Sequence, residues 1–109
     1  MFIRLFVNTN NIEEANVTLE KVTSVLKEKI KGKEIVKIIP YWKIEDVYVV
    51  EVNLDFYEGI SDDDIYKKLQ GITNKWTTFG NPVNELMASV DMDDCIINID
   101  KIRMINIHL

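Results

Sequence analysis

The longest alternation of apolar and polar residues in the chain runs from Val47 to Tyr57. From Val50 onward, every second residue is apolar, and the residues between are Glu, Asn, Asp and Tyr. This period of two, in a segment rich in β-branched and aromatic side chains, is typical of a long strand that is buried on one face only. The other face of this strand is predicted to meet solvent or a partner.

A shorter alternating segment, Phe2 to Val7, precedes a helical pattern. The asparagine-rich turn that follows it can cap a helix through Asn10 or Asn11. Apolar residues then recur every three or four positions, as Ile12, Ala15, Leu19, Val22, Leu26 and Ile30. This stripe, with Gly32 in a favourable position for a helix end, predicts a helix that reaches Lys31.

Two further elements carry clear local signals. Residues Ile35 to Trp42 read as a strand, and Pro40 within it removes a backbone donor, which indicates an edge strand or a bulge. Ser61 followed by Asp64 is an acidic variant of the capping box, so it predicts the start of a second helix that continues through Ile72.

The C-terminal third is less regular. Thr73 to Pro82 reads as a loop, and Val83 to Val90 is ambiguous between helix and strand, with a strand favoured. Asp91 to Asp94 is predicted to turn the chain. Cys95 to Ile99 and Ile102 to Leu109 are predicted to be two further strand segments.

This order of elements predicts a single α+β domain over residues 1–109. It matches the ferredoxin-like split βαβ sandwich (βαββαβ), with one or two appended C-terminal strands. Two helices would cover one face of an antiparallel sheet. In that topology the strand from Val83 to Val90 runs parallel to the strand from Val47 to Tyr57. The aspartates after both strands are therefore expected at one end of the sheet, and Trp42 with the Trp76–Phe79 loop at the other.

The composition is 47% hydrophobic and 28% charged, which is typical of a globular domain. The net charge of −5 argues against a nucleic-acid binder, because that function needs a basic surface. No apolar stretch approaches the length of a membrane span. We expect a cytoplasmic protein that binds neither nucleic acid nor membrane.

No catalytic signature is present. The single Cys95 lies among isoleucines, which favours a buried and inert thiol, and the only histidine is His108. Consecutive aspartates at Asp62–Asp64 splay around a helix axis, so they do not converge on a metal ion. Glycines are scattered singly, without a phosphate-binding loop. We therefore expect no cofactor, no metal and no enzymatic activity.

Two groups of residues are candidates for binding a protein partner. The first consists of clustered carboxylates, which would steer a basic partner: Asp62, Asp63, Asp64, Asp91, Asp93 and Asp94. The second consists of Trp76 and Phe79, large aromatics in a polar loop of the kind that anchors interfaces. The alternative for these aromatics is a small hydrophobic cluster that closes one end of the domain.

By its size, acidity, tryptophan-bearing loops and organisation, the chain resembles the small bacterial immunity proteins of contact-dependent or polymorphic toxin systems. The resemblance implies stoichiometric binding and occlusion of a toxin domain, often a basic nuclease. It transfers no functional residue, because these families share no common site. Two other classes stay open: a dimeric ferredoxin-like module with a small-molecule pocket or a minor activity, and an accessory protein of a phage or mobile element. The immunity-protein class allows a monomer, whereas the ferredoxin-like small-molecule module requires a homodimer.

Overall fold

The computed structural model describes residues 1–109 as a six-stranded antiparallel sheet with two α-helices against one face. The strand order across the sheet is β2-β3-β1-β6-β5-β4. In chain order the elements are β1 (Phe2–Val7), α1 (Ile12–Ser24), a 3-10 turn (Lys27–Lys29), β2 (Ile30–Pro40), β3 (Tyr48–Phe56), α2 (Asp62–Leu69), β4 (Thr77–Phe79), β5 (Glu85–Ser89) and β6 (Ile102–His108). The predicted α+β class is confirmed.

The alternation in β3 separates the two faces of the sheet as predicted. Val52 lies opposite Ile3 on one side and Ile35 on the other. The helix-facing side chains of β1, β3, β5 and β6 are almost fully buried. They are Ile3, Leu5, Val7, Val50, Val52, Leu54, Leu86, Ala88, Ile105 and Ile107. We call the other side of the sheet, where Arg4 lies opposite Glu51, the open face.

Helix α1 begins as predicted but ends at Ser24, about two turns early. The side chain of Asn11 accepts hydrogen bonds from the backbone N–H groups of Glu13 (2.8 Å) and Glu14 (3.1 Å). The helix stops at Ser24, and Ile30 already pairs with Phe56 in the sheet. The predicted helix end at Lys31 is therefore wrong, because pairing with β3 takes residues from Ile30 onward into a strand.

The order of the C-terminal strands also differs from the prediction. The last strand, β6, pairs with β1, and β5 pairs with the far side of β6. Because β5 is antiparallel to β6, it runs opposite to β3 and not parallel to it. The predicted strand at Val83 to Val90 is confirmed in its central part, Glu85–Ser89. The strand that pairs with β1, however, is β6.

Residues 95–99 do not form the predicted strand. They form irregular, bent structure with one isolated bridge between Thr73 and Ile97. Side chains occupy the backbone groups that a strand would use: Asn74 accepts from the N–H of Ile96 (2.7 Å) and donates to the carbonyl of Asp94 (2.9 Å). The competition between side-chain and backbone hydrogen bonds explains this difference.

The second helix starts where the capping box predicts. Ser61 and Asp64 exchange the two capping hydrogen bonds, both 3.2 Å long. The helix ends at Leu69, and Ile72 is fully buried just beyond it. Neither helix combines the length and the apolar character that crossing a membrane would require.

Candidate protein-binding surface

The two acidic groups lie at opposite ends of the sheet, so the expectation that they share one end is wrong. Asp62–Asp64 follow the C-terminal end of β3. The first residue of β5, Glu85, lies at this same end of the sheet. Asp91, Asp93 and Asp94 follow the other end of β5. The cause is the reversed direction of β5. One partner footprint at an end of the domain cannot include both groups, and their contact with a partner stays a prediction.

The side chain of Asp64 caps helix α2 and is therefore not free on the surface. Hydrogen bonds from Ser61, first its backbone N–H and then its side chain, lower the pKa of the Asp64 carboxyl. Asp62 and Asp63 precede it in the same helical turn and make no such bonds. Of the three aspartates, only these two are free to meet a partner.

Asp64→Ala is expected to lower the thermal midpoint at neutral pH by more than Asp63→Ala does, because only Asp64 completes the capping box. The folded-state pKa lies below the ordinary value of 3.8. The stabilisation is therefore present above the unfolded pKa and is lost as the pH falls through the folded pKa. Thermal unfolding at several pH values checks this. Equal midpoints for the two variants at neutral pH would contradict it.

The second acidic group belongs to a loop that is held in place by its neighbours. Lys75 donates to the backbone carbonyl of Asp93 (2.9 Å), and the Asp91 carboxylate lies 3.7 Å from the Arg103 guanidinium. Asp94 adopts a positive φ of 59°. Because its backbone is held by Lys75 and its Asp91 carboxylate lies near Arg103, this loop has a structural role that does not require a partner.

Trp76 and Phe79 lie on different sides of the molecule. The indole N–H of Trp76 donates to the carbonyl of Leu69 (3.1 Å), and its ring packs against the core on the helix side. Phe79 pairs with Glu85 at the edge of the open face and is 42% exposed. The alternative reading, a cluster that closes one end of the domain, therefore fits Trp76.

The groups that could have supported catalysis are separated. Cys95 is buried in the helix-side core, where its sulfur lies 3.6 Å from the Thr73 hydroxyl. His108 lies on the open face, with its ring centroid 5.9 Å from that of Phe2. No three His, Cys, Asp or Glu side chains lie close enough together to hold a metal ion.

The open face carries a polar row across its middle. Glu51 is only 7% exposed, and its carboxylate accepts from Nε of Arg4 at 2.7 Å. The ammonium of Lys37 lies 3.7 Å from its other oxygen. On the far side of Arg4, Asn106 is buried and donates to Glu85 at 2.7 Å. Of the two acidic residues on this face of β3, Glu51 and Asp55, it is Glu51 that binds Arg4.

Above this row lies a cleft of about 270 Å³, which we call the Trp42 cleft. Its principal lining residues are Arg4, Phe6, Lys37, Ile39, Trp42 and Glu51. The pairing of β2 with β3 extends by one residue beyond Pro40, because the N–H of Tyr41 donates to the carbonyl of Val47 (2.7 Å). The Tyr41 ring then meets that of Phe6 edge-on, with centroids 5.1 Å apart. The cleft thus has aromatic and aliphatic walls and an ionic floor.

Trp42 is 83% exposed, the highest value among the exposed large hydrophobic side chains. Its ring lies 6.3 Å from that of Tyr41 and 5.0 Å from the Lys43 ammonium. Near it, Ile39 is 47% exposed. Tryptophan is one of the residue types that are enriched among the energetically important residues of protein interfaces. Sequence reasoning noted Trp42 among the aromatics but did not select it. The available signal was its position two residues after the edge-strand Pro40.

Comparison of the chain with protein-family models, with curated proteins and with solved structures gives no match. The function is therefore inferred from the arrangement of the residues themselves.

Proposed function

We propose that this protein is a non-catalytic binding module that holds another protein against its open face, as an immunity protein holds a toxin domain. The observation that carries the proposal is the uncovered sheet face with Trp42 projecting at its margin. Both helices pack on the other side, so neither helix covers the open face.

The size of the open face fits a protein partner. Six strands about 4.8 Å apart and about six residues long give an area of roughly 600 Å². A standard interface buries about 800 Å² on each partner. The open face and the turn that carries Trp42 together approach this size.

The polar row favours reversible binding of a partner rather than a permanent homodimer. Permanent dimer interfaces are more hydrophobic than this face, because they resemble a domain core. Packing two copies face to face would remove water from Arg4, Lys37 and Glu51 in both, and such desolvation offsets much of the ionic attraction. This argues for the immunity-type reading over the dimeric small-molecule module.

The partner is expected to be basic, because the net charge of this chain is −5. Since the aspartate groups lie at opposite ends, the overall charge rather than one acidic end would steer the encounter. Such steering raises the association rate at low salt and weakens when salt screens it.

We also propose that the sheet is a variant of the ferredoxin-like fold. Strands β2-β3-β1-β6 follow the order expected for that fold if β6 takes the place of its fourth strand. The β4–β5 pair would then be an insertion that widens the open face.

The test is binding to the product of a neighbouring toxin-type gene, measured by calorimetry, together with protection of cells that express it. Trp42→Ala is expected to weaken binding at least tenfold, because exposed tryptophans are frequent hot spots. Val17→Ala, a truncation at a 54% exposed site on α1, is the matched control and should bind normally. Normal binding by Trp42→Ala would reject the open face as the binding surface.

A further inference from the structure

We infer that the Trp42 cleft accepts one apolar side chain of a partner together with a carboxylate beside it, and that Arg4 and Lys37 bind this carboxylate. The inference deepens the proposed function, on which its biological meaning rests. Its evidence is the charge balance and the size of the cleft.

The floor of the cleft has an excess of positive charge. Arg4 and Lys37 share a single carboxylate, that of Glu51. The nearby acidic residues Glu45 and Asp46 line a different groove, together with Lys101 and Arg103. One carboxylate from a partner would therefore balance the charge of the cleft.

The donors of both cations are still available. Arg4 contacts Glu51 through Nε, which leaves the two terminal nitrogens of the guanidinium for a ligand. Lys37 stands 3.7 Å from Glu51, which is longer than a hydrogen bond. The side chains of Arg4 and Lys37 are 39% and 43% exposed, so a ligand can reach both.

The size of the cleft selects a single side chain. At about 270 Å³ it is smaller than the roughly 300–1,000 Å³ of sites for cofactors and drug-sized molecules. Its walls come from Phe6, Ile39 and Trp42, which suit an aromatic or branched apolar group. Arg4 and Lys37 then specify a carboxylate immediately next to that group.

A minimal probe tests this without the partner. N-acetyl-L-phenylalanine carries the ring and the carboxylate, and its C-terminal amide is the uncharged control. The chain has two tryptophans, so its indole N–H signals in a nitrogen–proton NMR spectrum report two places at once. The Trp42 signal should move on titration, whereas that of Trp76, bonded to Leu69 on the helix side, should stay fixed.

The acid is expected to bind about threefold more tightly than the amide, the effect of an exposed ion pair worth roughly 0.2–1 kcal/mol. Lys37→Gln should reduce this preference of the acid over the amide. Equal affinities for acid and amide would overturn the carboxylate assignment, and a stationary Trp42 signal with both would overturn the cleft itself. If the probe binds as expected but Trp42→Ala still binds the partner normally, the proposed function fails while the cleft assignment stands.

Discussion

Leu54→Ala is expected to lower the free energy of unfolding by about 2–5 kcal/mol, the range observed when a buried leucine is truncated. Leu54 is 1% exposed on the helix-facing side of the central strand β3. Its loss removes apolar contacts and leaves a cavity between the sheet and the helices. Because β3 pairs with both β1 and β2, its neighbours cannot easily move to fill the space.

The control for this variant is Leu109→Ala, which makes the same chemical change at a 41% exposed position. It should alter stability by less than about 0.5 kcal/mol. Chemical denaturation of both variants measures the difference. A Leu54→Ala midpoint equal to that of the control would show that this residue does not lie in the core.

Strand alternation and helix capping were predictable because both depend on neighbours in the sequence. The period of two in β1 and β3 placed Arg4 and Glu51 on the same face, and the structure pairs them. The N-cap at Asn11 and the capping box at Ser61 similarly involve residues two or three positions apart.

The strand order and the end of α1 depended instead on distant pairing. Ile30 continues the apolar stripe of the helix, yet it pairs with Phe56, and no local pattern reveals that choice. The strand at residues 102–108 takes the place beside β1, which reverses the direction of β5 and separates the aspartate groups. The candidate surface moved for the same reason, since the exposure of Trp42 depends on how the turn after β2 folds over the sheet.

Arg4→Met is expected to destabilise the protein by about 1–3 kcal/mol, because it leaves a buried carboxylate without its hydrogen-bond donor. Glu51 is 7% exposed, and after the substitution its nearest cation is Lys37 at 3.7 Å. The effect is smaller than for a fully buried ion pair, since Arg4 itself is 39% exposed.

The double variant Arg4→Met with Glu51→Met separates the ion pair from simple packing. Replacing both charges by apolar groups of similar length is often nearly neutral, because the desolvation of the pair disappears along with its attraction. The double variant should therefore be more stable than Arg4→Met alone, although it carries one substitution more. A double-mutant cycle from urea denaturation measures this coupling. Additive losses would mean that the Arg4–Glu51 contact contributes nothing to the fold, and that Arg4 is free to serve the Trp42 cleft alone.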